Sequence, residues 1–214
     1  MTQTTPVRPV CDARSAPAPP PPRTQARPAR GKLRAPPTHR ALRSSPVDPL
    51  TEKQIRASFV NSTKGEAARL RLPLGFAELP WTDLDFLGWV DPGAPLRAHL
   101  VVPGADERPL GVSLRVPALG RTSAMKSSLC QVCLTAHASS GVSLFTAPLA
   151  GQRGRQGNTV GIYLCADLAC PLYVRGRRQP QLRSGRQEES LTTEERVTRL
   201  RTNLDAFTAK VVDG

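Results

Sequence analysis

Four of the five cysteines in this 214-residue chain fall into two close pairs. Cys130 and Cys133 are separated by two residues, and Cys165 and Cys170 by four, with 31 residues between the pairs. A two-residue gap lets a tight knuckle aim two thiolates at one ion about 2.3 Å away, and a second pair completes a tetrahedron. The N-terminus has no apolar leader and no apolar run approaches a membrane span, so the chain reads as cytoplasmic. In a reducing compartment such pairs hold zinc rather than form disulfides. Four cysteine ligands leave no open coordination position, so the expected cofactor is one structural Zn2+. Two alternatives stay open: His137, four residues after Cys133, could replace one cysteine, or the four thiols could be buried without metal. A redox role for the Cys-x2-Cys would need a thioredoxin-like βαβ context, which the pattern lacks. Cys11 lies apart, near the N-terminus, and reads as incidental.

No residue set offers a catalytic mechanism. His39 lies near the N-terminus, His99 inside a strand pattern and His137 beside the cysteines, with no placed Ser or Asp partner. The glycines of residues 153–161 are not followed by Gly-Lys-Ser/Thr, so they do not form a nucleotide-hydrolase phosphate loop. The chain is therefore expected to be no enzyme, with no small-molecule substrate and no membrane partner.

The elements needed to position the cysteines can be read around them. Thr51 and Gln54 make a capping box for a short helix carrying Ile55, Phe59 and Val60 and ending near Lys64-Gly65. Residues 70–80, punctuated by Pro73, Gly75 and Pro80, read as a packed irregular connection. Strand patterns follow at residues 86–90, 96–102 and 110–116, the last alternating apolar and small or polar positions. Together they predict an antiparallel meander. Two further strands, 142–146 and 159–164, flank a glycine-rich basic loop at 150–158 and would bring the cysteine pairs together as a hairpin. Asp167 is placed to cap a short helix that begins near Cys170. Knuckle, hairpin and ligand-bearing helix make a treble clef. Thr192 and Glu195 cap a final helix in which Val197, Leu200, Leu204, Phe207 and Val211 form one apolar stripe. The expected fold class is thus α+β: an antiparallel sheet, a four-cysteine treble-clef zinc finger and a C-terminal helix.

Charge sorts the chain further. The formal net charge is +13 and the aromatic content 4%. Residues 1–49 hold 12 of the 22 prolines and a net +7, with no aromatic residue, so they read as a disordered basic tail preceding a 50–214 zinc domain. Residues 50–120 are neutral and residues 188–214 carry −2. Residues 121–187 carry nine cations against Asp167 alone, a net +8. That concentration suits an acidic protein face or RNA phosphates. Candidate partner contacts are Arg153 and Arg155 on the glycine-rich loop, with Tyr173, Arg175, Arg177 and Arg178 after the last cysteine. Arg175, Arg177, Arg178 and Lys126 could also balance the formal −2 of a zinc tetrathiolate.

Several segments carry a family resemblance: Trp89-Val90-Asp91-Pro92, Leu110-Gly111-Val112-Ser113-Leu114-Arg115, residues 125–133 through both knuckle cysteines, and the long block of residues 157–176. Residues 50–212 resemble the C-terminal treble-clef zinc-finger domain of the elongation factor G-binding proteins, the family of the fusidic-acid resistance proteins. The resemblance implies a translation role, in which the zinc domain binds elongation factor G and helps release it from stalled ribosomes. Better-known members carry an N-terminal helical domain; here the Pro/Arg segment stands in its place, so the expectation extends to factor or ribosome binding and not to drug resistance. The alternative is a zinc protein that binds ribosomal RNA or DNA through its basic regions.

If the tail contributes to RNA binding, affinity falls steeply with added salt, and deletion of residues 1–49 flattens that dependence. An unchanged salt slope after the deletion would refute a role for the tail.

Overall fold

The computed structural model describes residues 48–104, 108–116, 128–138, 140–180 and 189–214. The expected disordered tail lies outside these residues, apart from its last two. Helix α1 (Glu52–Ala57) opens on Thr51, whose hydroxyl accepts from the Gln54 N–H while the Gln54 side chain caps the Thr51 N–H. The helix stops at Ala57, short of the expected end near Lys64-Gly65. Those residues instead begin a second helix, α2 (Lys64–Arg69), capped reciprocally by Thr63 and Glu66. The same signature operates twice, with N-caps twelve residues apart, and the chain between is pulled onto the sheet. There Val60 N–H donates to Gly111 O and Gly111 N–H to Ser58 O. A Cβ at Gly111 would collide with Ser58 Oγ and press on the Phe59 ring, so this approach requires glycine.

Strands β1 (Leu87–Val90), β2 (Arg97–Pro103) and β3 (Pro109–Arg115) form the expected antiparallel meander. β6 (Val142–Pro148) and β7 (Thr159–Cys165) form the expected hairpin, and all five strands join one sheet in the order β1-β2-β3-β6-β7. The two halves meet through one register pair, Arg115 with Thr146. Asn61 splices the gap beside it: its amide donates to the Ser113 and Pro148 carbonyls, and its carbonyl accepts from Ser113 N–H. Two tiny strands, β4 (Ser128–Leu129) and β5 (Ala136–His137), pair separately. The expected loop at 150–158 contains a helical turn, α3 (Gly151–Arg155), which opens on left-handed Gly151 and is followed by left-handed Gly157. Gly154 lets that turn close on the Leu149 carbonyl, which any Cβ would strike.

Alternation along β2 divides the core. Leu87, Trp89 and Val101 face α1, α2 and the irregular 70–84 connection with its two 3₁₀ turns. Ala98, Leu100 and Val102 face the other way, toward β6, β7, the four cysteines and the last helix, α5 (Thr193–Asp213). Val197, Leu200, Leu204, Phe207 and Val211 are all buried, and Thr192 with Glu195 closes the predicted capping box. α4 (Cys170–Val174) packs between α5 and the metal-ligand cluster.

An ion cluster ties these layers together. Asp85 is buried just before β1, and both its oxygens are held by Arg175, at the C-terminal cap of α4. Arg201 of α5 adds bonds to Oδ1 from Nε at 3.0 Å and Nη2 at 2.8 Å. Asp85→Asn leaves two largely desolvated guanidiniums facing a neutral amide, and removing one partner of a buried charge set costs about 3–5 kcal/mol. Thermal denaturation of the variant is expected to show that loss as a lowered midpoint. An unchanged midpoint would show that the cluster contributes nothing net.

Candidate metal centre

The knuckle between β4 and β5 is built from backbone. Leu134 N–H returns to Cys130 O, Cys130 N–H reaches Thr135 O, and Leu134 takes a left-handed conformation (φ 57°) to reverse the chain. This aims both sulfurs inward, and the Cys133 N–H points at Cys130 Sγ, 3.5 Å away. Gln131 then clips the knuckle to the hairpin: its N–H donates to Tyr163 O and its side-chain oxygen accepts from Tyr163 N–H. Cys165 ends β7 and Cys170 begins α4. The chain between them turns through left-handed Leu168, whose N–H donates to Cys165 O.

All four sulfurs are buried and lie within 4.8 Å of one another. Cys130 Sγ is 3.7 Å from Cys170 Sγ, and Cys133 Sγ is 3.5 Å from Cys165 Sγ. A regular tetrahedron with arms of about 2.3 Å has edges of about 3.8 Å, so the set fits a zinc ion. Cys130, Cys133, Cys165 and Cys170 therefore hold one structural Zn2+, as the spacing predicts. Hydrogen bonds from Cys130, then Cys165 and Cys170, pull the Cys133 thiol far down. Hydrogen bonds with Cys130 and then Cys133 hold Cys165 and Cys170 well above the usual thiol range, with burial adding to the rise. A divalent ion removes that division by favouring the thiolate at all four positions.

His137 is buried but stays outside the ligand group. Its Nε2 sits 3.3 Å from Cys165 Sγ, where an Nε2–H would donate to the thiolate. The imidazole stands edge-on to Tyr173 at 4.7 Å between centroids, and the Tyr173 hydroxyl donates to Asp167 Oδ2 at 2.8 Å. Burial, then that hydrogen bond, pushes the Tyr173 phenol well above its ordinary value. Asp167 does not cap α4, whose N-cap is Ala169; its Oδ1 accepts from Ala169 N–H and so fixes the turn between the two ligands.

The proposed contact residues separate into two groups. Arg175 is engaged with Asp85, and Tyr173 is 9% exposed, so both support the zinc module from within. Arg177 and Arg178 are more than half exposed and approach Asp83 and Asp167 at 3.4 and 3.3 Å. Arg153 and Arg155 are exposed on α3 with no ion pair among the described residues. Lys126, considered for charge balance, lies outside the described residues.

Two features escaped the sequence reading. Leu129 and Leu134 on the knuckle, with the cross-strand pair Leu144 and Tyr163 on the hairpin, are exposed around the metal module. Leu144 and Tyr163 alternate with buried Phe145 and Leu164, a signal visible only once the hairpin register is known. His99, read as lacking a partner, lies between Asp91 and Ser113.

The model of the FBP C-terminal treble-clef zinc-finger family matches residues 54–211. No curated protein matches the chain. Among solved structures it is similar to the fusidic acid resistance protein FusC, at 16% identity and a TM-score of 0.42, over 67% of this chain and 52% of that one. The chain thus spans about half the length of that relative.

Elemental analysis is expected to find one zinc per chain. Cys165→Ser should lower zinc content and the melting temperature together, because structural zinc binding is coupled to folding. Full stability without zinc would contradict a structural ion.

Proposed function

The chain belongs to the FBP C-terminal treble-clef zinc-finger family, and on that premise we propose that it is a non-enzymatic adaptor that binds elongation factor G. In this reading the zinc holds a preformed face against the factor, and binding modulates the factor's release from the ribosome. The observation that carries it is the exposed apolar set around the metal module: Leu129 and Leu134 on the knuckle, and Leu144 and Tyr163 on the hairpin whose connecting turn presents Arg153 and Arg155. Exposed apolar side chains on a module that also presents guanidiniums with no ion pair among the described residues have the composition of a protein-binding surface: aromatic and aliphatic anchors with arginines. Arg177 and Arg178, which follow the last ligand along the chain, add exposed charge, while Tyr173 and Arg175 hold that segment through Asp167 and Asp85.

RNA binding through the same cations is the second reading, supported by the net +8 of residues 121–187. It accounts for the arginines but not for the exposed leucines.

A pull-down of purified cognate elongation factor G at ~150 mM salt, where weak long-range attraction is screened, separates the two. Zinc-loaded protein is expected to retain the factor, and Leu144→Asp or Tyr163→Ala to weaken retention about tenfold or more, as for central interface anchors. No retention by the zinc-loaded chain would overturn the proposal.

A further inference from the structure

A second site lies away from the zinc, on the face of the sheet that α2 covers. Between α2, the β1–β2 turn and strands β2 and β3 is a cleft of about 390 Å³. His99 on β2 and Ser113 on β3 line it as cross-strand partners, and His99 pairs on its other side with Trp89 of β1. The His99 ring is 4% exposed and packed between Phe59 and Trp89, with centroids 5.4 and 5.0 Å away.

The surroundings of this histidine favour one tautomer. Nε2 faces Asp91 Oδ2 at 3.5 Å and makes no well-formed hydrogen bond. Asp91 is held as a carboxylate: burial opposes the charge, but N–H donors from Arg71 and Gly93 and the adjacent His99 outweigh it. A nitrogen facing a carboxylate carries the proton, so Nδ1 is left as the acceptor. Burial, the largest influence, pulls the His99 imidazole below its ordinary range and favours this neutral form against the attraction of Asp91. Ser113 Oγ, 3.2 Å from Nδ1, therefore donates to it, and Ser62 Oγ donates to Ser113 Oγ at 2.7 Å. The row ends on Ser62, half-buried at the cleft, with its lone pairs free to accept.

Around this acceptor the cleft is cationic. Arg69, Arg71, Arg97 and Arg115 line it against Glu66 and Asp91, a net +2. Glu66 is already committed to the Thr63 cap and lies 3.9 Å from Arg97. Arg69, Arg71 and Arg115 make no side-chain ion pair among the described residues. A glycine at 93 leaves space for the Arg71 stem, which a Cβ would meet at 2.7 Å. Two surplus positive charges match a phosphate monoester, which carries about −1.5 to −2 at neutral pH, better than a single carboxylate. Guanidiniums also meet phosphate oxygens through paired N–H donors. The volume exceeds what phosphate alone fills and lies in the range of small-molecule sites.

We propose that this cleft binds a sugar phosphate, free or as part of a nucleotide, with the arginines on the phosphate and Ser62 accepting from a sugar hydroxyl. His99 is a positioning residue: by accepting from Ser113 it orients the Ser113 and Ser62 hydroxyls so that the cleft presents an acceptor.

Titration calorimetry on the zinc-loaded full chain, with ribose 5-phosphate, AMP, inorganic phosphate and adenosine as probes, tests this. Both phosphate esters are expected to bind, and adenosine at least about tenfold more weakly, the loss of a charge-assisted pair. Tighter AMP binding identifies a nucleotide, and equal binding a sugar phosphate. Arg69→Gln with Arg115→Gln should weaken ribose 5-phosphate about tenfold or more, whereas Arg153→Gln with Arg155→Gln should not. Ser62→Ala should weaken ribose 5-phosphate and leave inorganic phosphate unchanged, with melting temperatures confirming that each variant folds. Absence of ester binding at low-millimolar concentration overturns the proposal, as does equal loss in the two arginine pairs.

Discussion

Four thiolates around one divalent ion are the constraint on which the rest of this structure depends. The ligands come from three separate places: the β4–β5 knuckle, the end of β7 and the start of α4. Four thiolates held this close repel one another unless a cation lies between them. With it, charge neutralisation and geometry act together. The sulfurs are also part of the main apolar cluster, in contact with the hairpin strands and the stripe of α5. Metal and core are therefore one cooperative unit, in which the ion fixes the ends of elements that burial then holds.

Charge is divided between interior and surface in a way the net value conceals. Arg175 and Arg201 are turned inward onto Asp85, joining the segment before β1 to α4 and α5. Arg153 and Arg155 face solvent, and Arg69, Arg71 and Arg115 face a cleft. Similar residues thus occupy three settings: clamped inside, exposed on a surface turn, and lining a cleft. What turns Arg175 and Arg201 inward is the buried Asp85, a partner no linear charge pattern displays.

How much was legible in the sequence follows from the range of each interaction. Local signals were read correctly: the cysteine spacing, the alternation of β3, the reciprocal caps at Thr51 and Thr192, and the apolar stripe of α5. The second cap, at Thr63 with Glu66, used the same signature but was hidden inside an over-long first helix. Non-local features were not legible. Asn61 matters because strands β3 and β6 separate beside it, 52 and 87 residues further along the chain. Trp89, His99 and Ser113 form a row only in one strand register, and a slip of one residue would send His99 to the opposite core. The family resemblance rested on residue identities, and the match over residues 54–211 bears it out.

The central claim is that zinc holds the knuckle, the hairpin and the C-terminal helix as one unit. Amide hydrogen exchange, followed residue by residue before and after chelation, tests it most directly. The account predicts that removing zinc abolishes protection at Gln131 and Tyr163, which clip knuckle to hairpin, and at Leu200 and Leu204 of α5, in one concerted step. Retained protection at Leu200 and Leu204 in zinc-free protein would show that the core holds without the ion, and would contradict the account.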